Sequence, residues 1–200
     1  PSSAHWRYLR GDAVRFIVVM TLACALGACA SGNIGTPMAG EWKIEPRADR
    51  VAEKPINSAW LVARSRNHRA SEQSPVTPQL ASLQLLCFDG DPVVRFHFTV
   101  DVGSNRNSRL AYKVDDSPAR RPNARILQDF QTIMIEDKKD VAQFVTDLRG
   151  ARRLDVTVTA LVNGTTIVDF NVEGAAAAID TAFATCPLPA QPAPRVSGGD

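Results

Sequence analysis

Alternation of apolar and polar residues is the main pattern in the second half of the chain, and it predicts β-strands with one buried face. Residues 80–88 alternate in this way, with Cys87 on the apolar side, and residues 93–100 alternate again after a turn sequence. We expect these two strands to form a hairpin. His97 falls on the polar side of the second strand, so we interpret it as sheet surface.

Several shorter segments also have the composition of strands. They are residues 41–44, 58–64, 110–115, 125–127, 132–135, 154–161 and 165–172. In the segment 58–64, Trp60 and Val62 fall on one face, and Leu61 falls on the other. The polar residues 65–78 are expected to form a long loop, with His68 solvated within it.

Asn163-Gly164 lies between the last two strand segments and is a strong hairpin signal. A two-residue loop would send the apolar residues of the two strands to opposite faces of the sheet, because a slip of one residue flips every side chain. A three-residue loop over 162–164 brings them to one face and pairs Val158 with Val168. We therefore predict that loop, with Gly164 in the left-handed conformation and a bulge beside it.

Two helices are expected. The first has Asp137 as its N-cap and Gly150 just past its end, and its apolar residues form one stripe. The second follows Gly174 and carries an apolar stripe that ends at Cys186. Together the elements predict a mainly β, α+β fold: an antiparallel β-sandwich-like domain built from hairpins, with the amphipathic helix before the last hairpin and the other helix at the C-terminus.

Near its N-terminus the chain has an apolar stretch without charge at 16–28, preceded by Arg15. It is too short to span a bilayer, and it is typical of a secretory signal. Leu26-Gly27-Ala28-Cys29 resembles the lipobox of bacterial lipoproteins, which implies cleavage before Cys29 and lipidation of that cysteine. Ala30 after the cysteine then implies sorting to the outer membrane. The alternatives are an ordinary signal peptide, cut after Ala28 or Ala30, and a buried apolar helix.

These features divide the chain into four parts. We expect an upstream extension plus lipoprotein signal peptide at 1–28, a flexible tether at 29–40, a single β-rich domain at 41–186 and a disordered Pro-rich tail at 187–200. The chain has 23 Lys and Arg against 21 Asp and Glu. Cleavage before Cys29 would remove three Arg and one Asp, which leaves the two signs equal. A neutral mature domain gives no indication of nucleic-acid binding.

Cys87 and Cys186 are the cysteines left in the expected β domain. In an oxidising compartment a disulfide between them is the default expectation, and two buried free thiols are the alternative. A zinc site is not expected, because the two cysteines and the available histidines lack paired ligand spacing.

The loop DDSPARRPN is the segment of the chain richest in charged and turn-forming residues. Asp115, Asp116, Arg120 and Arg121 lie within it. One interpretation is a turn whose aspartates cap backbone N–H groups and whose arginines are solvated. The other is a contact loop for a partner. We identify no catalytic residue, metal ligand or cofactor site, because no Ser or Cys has an evident His and acid as partners, although a deep pocket at His97 would favour an enzyme.

The order of the elements resembles a family of exported proteins. The residues that carry the likeness are Leu85-Leu86-Cys87, Tyr112-Lys113-Val114-Asp115 with the turn after it, Leu154-Asp155-Val156-Thr157-Val158, and Phe170-Asn171-Val172-Glu173-Gly174 before the last helix. Over residues 80–186 the chain resembles the VasI-type accessory proteins of type VI secretion and, more loosely, the invasion-associated locus B proteins. The resemblance implies a β-sandwich-like envelope protein without known catalysis.

The expected function is therefore that of a lipid-anchored cell-envelope lipoprotein, held at the outer membrane and facing the periplasm or the cell surface. It would be a non-catalytic interaction or structural module with a protein or cell-wall partner. The alternatives are a ligand-binding or inhibitor module of the periplasm and a type VI secretion accessory protein.

Overall fold

The computed structural model describes residues 38–39, 41–48, 55–73, 78–186 and 188. The strands are β1 (Met38–Ala39), β2 (Trp42–Ala48), β3 (Pro55–Asn67), β4 (Leu80–Phe88), β5 (Asp91–Phe98), β6 (Ser108–Val114), β7 (Arg125–Ile126), β8 (Thr132–Ile135), β9 (Arg153–Ala160) and β10 (Gly164–Asn171). The helices are α1 (His68–Gln73), α2 (Lys138–Leu148) and α3 (Ala175–Ala182). The predicted signal segment and Cys29 lie outside the described residues, as does all but Leu188 of the predicted tail.

All strand pairs are antiparallel, and the sheet runs in the order β6-β9-β10-β3-β4-β5-β8-β7, with β1 and β2 attached beside β3. The long strand β3 joins the two halves of the sheet. Its first half pairs with β2, as in Trp60 opposite Lys43, and its end pairs with β10, as in Ser65 opposite Val168. The sheet therefore curls about β3 and turns the apolar faces of its halves toward each other.

Aromatic side chains fill the space between the two halves. Phe96 on β5 lies 6.4 Å, between ring centroids, from Phe170 on β10. Phe144 of α2 makes edge-on contacts with Phe96 at 5.9 Å and with Tyr112 of β6 at 4.9 Å. Helix α2 thus closes the core where β5 and β6 approach each other. The expected mainly β, α+β, sandwich-like class is confirmed.

Both predicted helices are present. The carboxylate of Asp137 accepts hydrogen bonds from the backbone N–H groups of Lys139 and Asp140, so it is the N-cap of α2. Gly150 follows the helix with a φ of 85°. In α3 the stripe predicted to be apolar is buried and packs on β2, β3 and β4; its members are Ala175, Ala178, Ile179 and Ala182, followed by Phe183 and Cys186.

The predicted polar loop at 65–78 is partly wrong. Strand β3 continues through Asn67, and α1 follows it as a third helix. The strand can accommodate Asn67 because this side chain is satisfied inside the fold: its Nδ2 donates to the Thr166 hydroxyl at 2.7 Å and to the Asn163 carbonyl at 3.0 Å. His68 is exposed at the first position of α1.

The last hairpin has the predicted shared apolar face, but its register is shifted. Val156 lies opposite Val168, and Ala160 lies opposite Gly164, so the predicted pairing of Val158 with Val168 is wrong by two residues. The loop has three residues, 161–163. Gly164 follows it with the predicted left-handed φ, at 77°. Pairing then continues one to one along the described ladder, without the predicted bulge.

Candidate functional site

The loop DDSPARRPN, predicted as a possible contact loop, is held against the domain at its first residue, Asp115. Asp115 has a left-handed φ of 44°, and its carboxylate accepts hydrogen bonds from the backbone N–H groups of Arg153, at 2.9 Å, and Arg152. Its own N–H donates to the Arg153 carbonyl. Asp115 therefore fixes the start of β9. It caps backbone N–H groups, as one of the two interpretations predicted, but these groups are distant in sequence and not local.

Arg120 is also part of the fold. Its backbone pairs with Tyr112 through two hydrogen bonds, at 2.8 and 2.9 Å, which adds a bridge at the edge of β6. Its guanidinium forms an ion pair with Asp147 of α2. Arg120 is exposed, as expected for a solvated side chain, and the ion pair with Asp147 is an additional contact that the sequence did not predict.

Asp116, Arg120 and Arg121 are all exposed, so the loop has one acid and two bases on the surface, one of which pairs with Asp147. The four predicted contact residues therefore do not act as one group. Two of them stabilise the fold, and the loop lies along β6 instead of extending away from the domain.

Cys87 and Cys186 form a disulfide with a Cα–Cα distance of 5.9 Å. Both residues are buried, Cys87 on the inward face of β4 and Cys186 just after α3. The bond joins positions separated by 99 residues and ties the C-terminal helix to the sheet.

A groove of about 310 Å³ on the outer face of the sheet is the strongest candidate for a binding site. It crosses β2, β3, β4 and β5 and is open to solvent rather than enclosed. Its lining residues are Glu45, Trp60, Val62, Leu80, Ala81, Ser82, Gln84, Arg95, His97 and Thr99. This mixture of an aromatic ring, aliphatic side chains and a few polar groups is typical of ligand sites.

The strand register sets the positions of the groove side chains. Trp60, Gln84 and Arg95 lie directly opposite one another on β3, β4 and β5. Two residues along, Val62 and His97 flank Ser82 in the same way. Side chains at such positions are about 5 Å apart, so the two rows form a continuous surface.

His97 is held by a chain of hydrogen bonds. The Thr132 hydroxyl donates to the Asp129 carboxylate at 2.6 Å, so it accepts from the Nδ1–H of His97 at 3.1 Å. Burial alone would raise the pKa of Asp129, but hydrogen bonds from Thr132 and from the backbone N–H of Gln131 lower it, together with the charge of His97.

These hydrogen bonds orient His97 in the way that a catalytic histidine is oriented, but apart from Thr132 no nucleophilic side chain is hydrogen-bonded to the ring among the described residues. Ser82 is the cross-strand neighbour of His97, yet no hydrogen bond joins their side chains in the described structure. The open groove also leaves water in contact with the ring.

The sequence pattern placed His97 on the sheet surface and Trp60 on one of two unassigned faces of its strand, and it did not bring the two residues together. The missing information was the register between β3, β4 and β5, since alternation gives the face of each residue and not its neighbour on the next strand. The available signal was that Trp60 and Val62 share one face of their strand.

Among the residues that the structure describes, no group of three or more His, Cys, Asp or Glu side chains is placed to hold a metal ion. None of the described helices has the length and apolar character needed to cross a membrane.

Comparisons with known proteins give no matching family model, no matching curated protein and no matching solved structure. The resemblance to the VasI-type and invasion-associated locus B proteins therefore stays a prediction.

Proposed function

We propose that this protein is a lipid-anchored lipoprotein of the cell envelope and acts as a non-catalytic binding module. Cys29 would carry the lipid and hold the β domain at the outer membrane, facing the periplasm or the cell surface. The groove on the outer face of the sheet, centred on Trp60, would be the binding surface.

The single observation that carries the proposal is the groove itself. On a sheet face directed away from the core, exposed positions are normally polar. Here Trp60 is only partly covered and Val62 is 46% exposed, and both line a concavity with polar groups at its edges. An apolar concavity with a few placed polar groups is a general property of binding sites.

A periplasmic ligand-binding module is the second candidate, and the same groove favours it. An inhibitor module of the periplasm is less well supported. It requires an extended loop that enters another protein's cleft, whereas Arg120 holds the charged loop against β6 and Asp147. Membership of a type VI secretion system rests on the sequence resemblance alone.

Photo-cross-linking in the native host tests the proposed surface. A photoreactive residue replaces Val62, which lines the groove, and in a second strain it replaces Ile167. Ile167 is the matched control, since it is an outward β-branched residue on β10, is 37% exposed and does not line the groove. We expect a discrete adduct from position 62 alone. Adducts from position 167 alone, or from neither position, would contradict the proposed surface.

A further inference from the structure

One end of the sheet has three large apolar side chains on its surface. Leu161 and Val162, in the loop between β9 and β10, are 81% and 66% exposed, and Phe130, in the loop between β7 and β8, is 49% exposed. Gln131, which follows Phe130, lines the same pocket as Val162, so the two loops adjoin. We call the three side chains the apolar tip.

The loop between β9 and β10 is held in place by its backbone. The N–H of Leu161 donates to the Asn107 carbonyl at 3.1 Å, and the carbonyl of Val162 accepts from the guanidinium of Arg69. The next carbonyl, that of Asn163, accepts a hydrogen bond from β3. Tight turns usually contain Gly, Asn, Asp or Ser. Neither the turn nor the core therefore accounts for two exposed aliphatic side chains here.

Phe130 is unusual in the same way. Its φ is 57°, in the left-handed region that is strained for a bulky residue, and its N–H donates to the Leu127 carbonyl at 3.1 Å. A glycine would fit this turn without strain. Because the ring is also half-exposed, the fold gains little from it, and the side chain is available for a contact outside the domain.

Arginines flank the loop between β9 and β10 on both sides. Arg69 of α1 contacts it directly. Arg106 is exposed and lies next to Asn107, whose carbonyl binds the loop from the other side. A guanidinium binds phosphate through parallel hydrogen bonds. Groups that bind phosphate therefore lie beside the apolar tip.

The net charge of this end is nevertheless not strongly positive. Among the described residues here, the acids are Asp101 and Asp129 on neighbouring loops and Glu72 on α1. The Asp101 carboxylate accepts a hydrogen bond from the Gln131 side chain at 3.1 Å, and Asp129 accepts one from Thr132. Binding at this end would therefore depend mainly on the apolar side chains and only slightly on salt concentration.

The proposed lipid anchor keeps this end within reach of a membrane. Cys29 precedes Met38 by nine residues, which span at most roughly 30 Å. Met38 lies opposite Lys43, which lies opposite Trp60 of β3. From Trp60 to Asn67 at the end of β3 the distance is roughly 23 Å. The segment is therefore long enough for this end to touch the bilayer that holds the lipid.

We infer that this end of the domain lies on the surface of a phospholipid bilayer, with Leu161, Val162 and Phe130 inserted at the level of the headgroups and Arg69 and Arg106 beside lipid phosphates. A stable protein interface uses about 20–30 residues a side, whereas a bilayer accepts a few protruding side chains without a matching shape. The reach to the membrane rests on the proposed anchor, and the contact itself is additional to the proposed groove.

Quenching by brominated lipids tests the inference. The full chain is extracted from bacterial membranes and reconstituted into phosphatidylcholine vesicles with or without bromine on the acyl chains. Val162→Trp places a reporter in the apolar tip. Phe88→Trp is the matched control, because Phe88 is an exposed residue at the end of β4, which lies beside the start of β3 and thus at the opposite end of the sheet. Wild type gives the contribution of the other tryptophans.

We expect Val162→Trp to lose emission in the brominated vesicles, and Phe88→Trp to lose no more than wild type. A conservative reporter, Phe130→Trp, should be quenched as well. Adding Leu161→Ser to that reporter should shift the equilibrium from contact toward release by about tenfold, since burial of a leucine is worth at least that factor. Ile167→Ser, which changes an exposed residue of β10 outside the apolar tip, should leave the quenching unchanged.

The outcomes separate the inference from the proposed anchor, because the intact mass of the same sample reports lipidation. If the lipidated protein shows quenching at neither Val162→Trp nor Phe130→Trp, the inference is overturned and a protein partner at the apolar tip is favoured. Equal quenching at both ends of the sheet, or quenching that Leu161→Ser does not reduce, would also overturn it. Quenching of Val162→Trp in an unlipidated chain would support the bilayer contact and refute the anchor. An unlipidated chain that does not bind vesicles would refute both.

Discussion

Tyr112 on β6 and Asp147 on α2 are joined by a hydrogen bond of 2.9 Å from the phenol Oη to the carboxylate Oδ2. The same carboxylate pairs with Arg120 and accepts from Gln143 at 2.8 Å. The contact therefore joins the edge strand, the charged loop and the helix that closes the core. Burial of the phenol, together with the hydrogen bond and the negative charge of Asp147, raises the pKa of Tyr112.

Replacing Tyr112 with Phe should lower the free energy of unfolding by about 1 kcal/mol at neutral pH. The loss is small because Asp147 keeps its contacts with Arg120 and Gln143. A raised pKa in the folded state means that the stabilisation is complete below the unfolded value of about 10 and declines as pH rises above it. Urea unfolding should then show wild type losing more stability than Tyr112→Phe between about pH 9 and pH 11. Equal losses of stability in wild type and Tyr112→Phe over this pH range would contradict the raised pKa of Tyr112.

Gly164→Val should destabilise the domain by about 1–2 kcal/mol, because a non-glycine residue is strained at a φ of 77°. A Cβ there would also lie 3.3 Å from Cδ of Arg69. Gly164→Asn is the control, since asparagine tolerates the left-handed region and should cost less. Thermal or urea unfolding of the two variants checks this, and equal stability of Gly164→Val and wild type would show that the turn assignment is wrong.

The last hairpin shows how far sequence reasoning extends. Alternation and the requirement for one shared apolar face correctly gave the faces of β9 and β10 and the left-handed Gly164. A shift of two residues preserves every face, so that argument could not distinguish Val158 opposite Val168 from Val156 opposite Val168. The pattern of buried and exposed faces therefore cannot distinguish two registers that differ by an even number of residues.

Long-range pairing accounts for what the sequence did not reveal. Asn67 looks like a loop residue until β10 lies beside it and provides Thr166 as a partner, and Ser65 lies opposite Val168 of the same strand. The ion pair of Arg120 was not predicted, because nothing in its neighbourhood along the chain indicated Asp147. The groove was missed for the same reason, since Trp60, Gln84 and Arg95 meet only through strand pairing.

Gly103→Ala should be far more damaging than Gly90→Ala, although both glycines have positive φ, at 100° and 82°. A Cβ on Gly103 would lie 2.0 Å from Oγ of Ser108 and 2.9 Å from Cβ of Ala160, whereas a Cβ on Gly90 would meet nothing within 4 Å. Overpacking should add about 1–3 kcal/mol to the backbone cost. Urea unfolding of the two variants measures the difference, and similar losses would refute the close approach at Gly103.

Removing the disulfide with Cys87→Ala and Cys186→Ala together should lower stability by up to about 4–5 kcal/mol, because the bond closes a loop of roughly 100 residues. The double variant should unfold at the same denaturant concentration with and without reductant. Wild type should shift to a lower concentration when reductant is added. An unchanged wild-type midpoint would mean that the bond contributes little to stability.

The intact mass of the protein extracted from bacterial membranes, measured with and without reduction, tests the central claim of an anchored, disulfide-linked envelope module most directly. We predict a chain that begins at Cys29, carries acyl groups and gains the mass of two hydrogens on reduction, one for each of Cys87 and Cys186. An unlipidated, fully reduced chain that retains residues before Cys29 would contradict the account and remove the basis for placing the protein in the envelope.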